Sequence, residues 1–141
     1  MEFLSIFQEI IMNIFFKSFL CIFLLSLSGQ GFADWKYIAK DKEVEFYIDK
    51  SSIKKEGNHI KFWLRSEFEE HPLKALSSLL VHEVDCKKRL IKTLYIEAYD
   101  QHNLKGNIIA SGFLNESDPT GSFEKVAKQT TEDVELDFVC K

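Results

Sequence analysis

The sequence predicts an α+β domain, mainly antiparallel, built as a single sheet of about six strands with a short C-terminal helix. Three observations carry this. Residues 59–68 place Ile60, Phe62, Leu64 and Phe68 on one parity and Lys61, Arg65 and Glu67 on the other, the period of a strand with one buried face. Shorter runs of the same kind recur between polar turns containing Gly, Asn, Asp or Pro. Near the C-terminus, Thr130-Thr131-Glu132-Asp133 has the form of a helix start, with Thr130 able to cap and an acid three positions on.

The first apolar run stands outside that domain. Residues 10–27 are almost wholly apolar, broken mainly by Asn13, Lys17, Ser18 and Ser26, and Ser28-Gly29-Gln30-Gly31-Phe32-Ala33 follows. A positive charge, an apolar stretch and small residues ahead of a cut are the parts of a secretory signal. Residues 1–33 therefore read as a signal peptide cut before Asp34, and 34–141 as a single exported domain destined for the periplasm or the outer cell surface. Glu2 and Glu9 run against the charge rule for an exported N-terminus and make Met12 an alternative start. An uncleaved anchor is the competing reading, since about 20 apolar residues can span a bilayer; the small and polar residues 26–30 argue for cleavage. Cys21 lies inside the apolar stretch rather than at its end, which argues against lipidation.

Extended segments at 35–39 and 44–48 flank the polar turn Asp41-Lys42-Glu43. Asp49-Lys50-Ser51-Ser52-Ile53 offers local hydrogen-bonding side chains, and Glu56-Gly57-Asn58 is a turn that accepts a left-handed residue. In the strand at 59–68, Trp63 is the apolar exception on the polar face. Pro72 lies in a polar connection at 69–75, where its missing N–H harms no central strand. Extended pattern resumes at 77–86, with Leu80, His82, Val84 and Cys86 on one parity, and stops at Lys87-Lys88. In a longer strand at 89–99, Leu90, Leu94, Ile96 and Ala98 are expected inward. Arg89, Thr93, Glu97 and Tyr99 are expected outward, together with Ile91 and Tyr95. Asn103-Leu104-Lys105-Gly106-Asn107 connects to a strand at 108–114, Gly106 supplying a positive φ. Asp118-Pro119-Thr120-Gly121 suits a tight turn. The last segment is two-sided: Val134, Leu136, Phe138 and Cys140 alternate as in a strand, while the Thr130 cap favours the helix.

The chain carries 18 Lys and Arg against 22 Asp and Glu, a net charge of −4, with both signs interspersed. No basic stripe is present to take nucleic acid. Of three cysteines, removal of the signal takes Cys21 and leaves Cys86 and Cys140, in an oxidising compartment. One internal pairing is then available; a single-cysteine metal site and a nucleophile are the rival readings. No motif calls for a metal or a cofactor.

Taken together, Trp35, Tyr47-Ile48-Asp49 followed by Ser52-Ile53, the Gly57 turn, Phe62-Trp63, Ser77-Ser78 leading to Glu83-Val84-Asp85-Cys86-Lys87 with Arg89, and the late Cys140 resemble the surface-adhesin E family of small exported bacterial proteins. The resemblance spans nearly all of 34–141. It implies about six antiparallel strands with an accompanying helix, a Cys86–Cys140 bond, and binding to host matrix proteins such as vitronectin and laminin. It carries no short binding motif across. After Gly106 the sequence departs from the family pattern, with Gly112-Phe113-Leu114 where a tryptophan is expected, which bears on partner choice more than on fold.

Three functions follow as expectations. A binding module would use Trp63, Ile91 and Tyr95, large side chains on otherwise polar strand faces; the alternative is that they pack under the terminal helix or in a homodimer. A hydrolase would need His82, Glu83 and Asp85 to converge, but on a strand His82 points opposite to the two acids. His59, His71 and His102 lie in or beside turns with no recurring ligand spacing, so no catalytic or metal residue is assigned. An assembly role would use an exposed sheet edge.

Overall fold

The computed structural model describes residues 32–71, 73–115, 117 and 121–141. The chain divides into two units, Met1–Phe32 and Ala33–Lys141, and the elements below belong to the second. The stretch read as a signal, as far as residue 31, and most of the turn at 118–121 lie outside the described residues.

Eight strands form one antiparallel sheet: β1 (Trp35–Asp41), β2 (Val44–Asp49), β3 (Lys54–Glu56), β4 (His59–Phe68), β5 (Ser77–Asp85), β6 (Leu90–Tyr99), β7 (Ile108–Phe113) and β8 (Glu124–Lys125). The order is β1-β2-β4-β5-β6-β7, with the short β3 paired to β4 and β8 to β6. One helix, α1 (Thr131–Val139), follows. The architecture is thus α+β with six principal strands and a short C-terminal helix. The strands β3 and β8, of three and two residues, carry too little pattern to be seen in sequence.

Alternation divides the sheet into two faces. On the helix face, Ile48, Ile60, Phe62, Leu64 and Val84 pack with Leu136 and Val139 of α1 and with Val126. Burying each large apolar side chain contributes about 1.5–3 kcal/mol. The other face carries no helix among the described residues and is called the open face below.

Turns behave as their chemistry dictates. Gly57 has φ +63° and Gly106 φ +79°. At Gly106 a side chain would also collide with Asp100, whose Oδ1 lies 2.0 Å from where a Cβ would sit. Asp100 closes that hairpin by accepting from the Asn107 backbone N–H at 2.7 Å and from its side-chain amide at 2.9 Å. Asp49, nearly fully buried, accepts from Ser51 N–H, Ser51 Oγ and the Asp34 N–H, fixing the start of the domain beside the 3-10 turn Lys50–Ser52.

The parity expected of β6 is corrected by one irregularity. Val81 pairs with Tyr95 but His82 pairs with Thr93, so the register shifts and Leu94 is the extra residue. Below the shift, Ile91 and Thr93 therefore turn to the helix face, while Tyr95, Glu97 and Tyr99 stay on the open face. Thr93 is buried and Ile91 packs against the core cluster, where both were expected outward.

Four ties seat α1. Thr130 accepts at its side chain from the Asp133 N–H, 3.2 Å, as an N-cap. Arg89 pairs with Asp133 and, at 3.2 Å, with Asp137. Glu135 hydrogen-bonds His82 on β5 at 2.8 Å. The sulfurs of Cys86 and Cys140 are bonded, with Cα atoms 5.7 Å apart.

Candidate functional site

Strand pairing lines up one row of side chains across the open face. Trp63 on β4 is opposite Val81 on β5, Val81 opposite Tyr95 on β6, and Tyr95 opposite Phe113 on β7. Cross-strand neighbours on one face come within side-chain reach, and the Tyr95 and Phe113 rings do meet, centroids 4.7 Å apart. Trp63 is 46% exposed and Phe113 83%. The row thus forms an apolar stripe across four strands, wet at both ends.

The flanking row is polar and rigid. Tyr37, Tyr47, Arg65, Leu79, Glu97 and Ser111 continue across the sheet in register. The Arg65 guanidinium lies 4.4 Å from the Tyr47 ring centroid and 5.1 Å from that of Trp35, cation–π contacts that hold the charge against the sheet. Its Nε is 3.0 Å from Glu67 but off the line of a hydrogen bond. Glu97 accepts from the hydroxyls of Tyr95 and Tyr99. Those bonds hold its carboxyl below the usual range, while burial, with help from Glu97, pushes Tyr99 up to about 12. The hydrogen bond to Glu97 also raises Tyr95.

On the other side of the stripe, His59 Nδ1 lies 2.7 Å from Glu83 and its Nε2 3.8 Å from Asp85. Lys92 sits 3.6 Å from Glu83 and 4.5 Å from the Phe123 ring centroid. In sequence His59 stands as an isolated turn histidine, and only the β4–β5 register brings it to the acids. Among the described residues no group of three or more His, Cys, Asp or Glu could hold a metal ion.

Of the residues expected at a partner surface, Trp63 and Tyr95 share the open face and Ile91 does not. Sequence reasoning does not place Phe113 on this surface, although Gly112-Phe113-Leu114, where the family resemblance leads one to expect a tryptophan, is the signal that points to it. His82 is on the opposite face, bonded to Glu135 and apart from Glu83 and Asp85.

Crystal structures of Haemophilus influenzae protein E share this fold. One crystal form superposes with a TM-score of 0.55 at 14% identity, covering 75% of this chain and 86% of that one. A selenomethionine form gives 0.54 at 14% identity over 75% and 84%. No curated protein matches the chain. The model of the family described as surface-adhesin protein E matches residues 35–141, from the start of β1 to the C-terminus, and the chain belongs to that family.

Proposed function

We propose that this protein is a non-catalytic binding module of the cell envelope, exported by its N-terminal signal, that takes a protein partner on the open face of its sheet. The observation that carries the reading is the Trp63–Val81–Tyr95–Phe113 row, apolar across four strands and exposed at both ends. Exposed aromatic anchors on a rigid sheet, rimmed by charge, are the usual centre of a protein interface. Vitronectin and laminin, the matrix proteins implied by family resemblance, are the first partners to test. The His59–Glu83–Asp85 cluster serves the fold in this reading, as a cross-strand tie. Surface plasmon resonance with immobilised vitronectin and laminin tests it: Trp63→Ala and Phe113→Ala should each weaken binding at least tenfold with an unchanged melting temperature. Equal binding by the variants, or none by the native protein, overturns it.

A second reading has its own observation. The edge strand β7 exposes Ile108 and Ile109 and has neither charge nor proline over its six residues, the devices that normally blunt an edge. Pairing of β7 with a partner strand would make the protein an assembly component or a homodimer.

A further inference from the structure

On the helix face, away from the row just described, the short helix leaves part of the sheet uncovered. Nine residues of α1 rise about 13 Å, whereas the ten-residue β4 runs about 33 Å. The uncovered part is a cleft of about 920 Å³, in the size range of small-molecule sites. Its walls mix polar and apolar side chains, the apolar part being Phe46, Leu80 and Ile96, half-buried, with Val134 of α1 exposed beside them.

The floor is polar in an economical way. Ser66 and Thr93 both line the cleft and are more than nine-tenths buried, yet their hydroxyls make no hydrogen bond to any described residue. Neither hydroxyl is among the buried polar atoms that lack a partner, so both are open to the cleft, where a bound polar group can reach them in place of water. His82 and Glu135 also line the cleft, where they meet each other through one hydrogen bond.

The charges around the cleft select against an anionic ligand. The rim lysines are engaged: Lys40 with Glu69 at 2.8 Å, Lys92 with Glu83, and Lys125 with the Lys88 carbonyl at 2.8 Å. Asp41, Glu124, Glu132 and Glu135, which also line the cleft, outnumber them by one. An anionic head at the floor would lose its water beside Glu135 with no free cation to meet it, whereas a neutral head would find donors and acceptors.

We propose that this cleft is a binding site for a small neutral amphiphile, its apolar body lying along Phe46, Leu80 and Ile96 and its single hydrogen-bonding head on Ser66, Thr93 and the His82–Glu135 pair. The neutral dye N-phenyl-1-naphthylamine, an apolar body with one N–H, is the probe, and 1-decanol the competitor. Titration of the purified protein should give a saturable rise in dye fluorescence at one site per chain, reversed by 1-decanol. Ile96→Trp, which fills the cleft, should weaken dye binding at least tenfold. Thr93→Val, which keeps the volume and removes the hydroxyl, should weaken it about three- to tenfold, with circular dichroism confirming that each variant is folded. Trp63→Ala, on the open face, should leave dye binding unchanged. Absence of saturable binding overturns the proposal. So does dye affinity that is indifferent to both cleft variants, or that falls with Trp63→Ala instead.

Discussion

Glu135, at the middle of α1, accepts or shares a proton with His82, at the middle of β5, over 2.8 Å and 53 residues of chain, and both side chains are buried. Such a pair is costly to break and cheap to replace whole, because removing one member strands the other without solvent. His82→Ala alone should therefore destabilise the protein by about 3–5 kcal/mol. The double variant His82→Phe, Glu135→Met should recover most of that loss in urea unfolding. Losses of His82→Phe and Glu135→Met that simply add in the double variant would show that the bond contributes nothing of its own.

Phe62 and Trp63 are neighbours in β4 on opposite faces, one fully buried and one about half exposed. Phe62→Ala removes a ring from the centre of the core cluster and should cost about 3–5 kcal/mol. Trp63→Ala leaves the core intact and should cost less than about 1 kcal/mol. Equal losses in chemical denaturation would place Trp63 in the core.

This pair also marks how far the sequence could be read. Alternation in β4 was legible because one face is continuously buried and the other continuously charged. The Thr130–Asp133 cap was legible because capping is local chemistry. Ile91 was misplaced because a register shift opposite Val81 and His82 reverses parity within β6, and nothing local in Thr93-Leu94-Tyr95 announces it. His59 with Glu83, and the stripe from Trp63 to Phe113, exist only through pairing between strands, and one sequence does not state which strands are neighbours or in what register.

Stability should fall in acid for an identifiable set of reasons. Backbone N–H donors hold Asp85 (from Lys88) and Asp133 (from Gln129) below the usual carboxyl range, the Asn107 side chain does the same for Asp100, and the two tyrosines for Glu97. A carboxyl depressed in the fold contributes stability that is full above its unfolded value, about 4, and is lost as pH falls through the folded value. The melting temperature should therefore drop below about pH 4, and Tyr95→Phe combined with Tyr99→Phe should soften that drop. At the alkaline end the sign reverses. Tyr99, raised to about 12, contributes fully below about pH 10 and loses its contribution as pH rises toward 12. A melting temperature flat from pH 5 to 3 would contradict the acid limb.

The proposed signal cut has a structural consequence. Asp34 N lies 2.8 Å from the carboxylate of the buried Asp49. Cleavage before Asp34 turns an amide N–H into an ammonium, and a charge-assisted bond contributes about 1 kcal/mol more than a neutral one. Mass spectrometry of the exported protein should find Asp34 first. A chain beginning at Asp34 should be more stable than one extended by a few residues, and a mature species beginning elsewhere would contradict both expectations.

The last prediction concerns what the Cys86–Cys140 bond holds. It closes a loop with a sequence separation of 54, for which the loop-entropy relation gives about 4 kcal/mol against the unfolded chain. Its local effect is uneven, because α1 has other ties nearer its start. The Thr130 cap and the Arg89–Asp133 pair hold the first turn, and His82–Glu135 holds the middle. Beyond them, Leu136 and Val139 are buried and the Cys140 N–H donates to the Leu136 carbonyl, but only the disulfide joins the terminal turn covalently to Cys86, the residue that follows β5. Chain ends fray unless tied down. Replacing both cysteines, Cys86→Ser with Cys140→Ser, should lower global stability by about 2–4 kcal/mol. In hydrogen exchange the same variant should lose protection first at residues 136–141, with the amides of 131–135 following later. Free thiols in the exported protein would remove the basis of the prediction, and simultaneous loss of protection along the whole helix would show that α1 detaches as one unit, with its polar ties too weak to hold it alone.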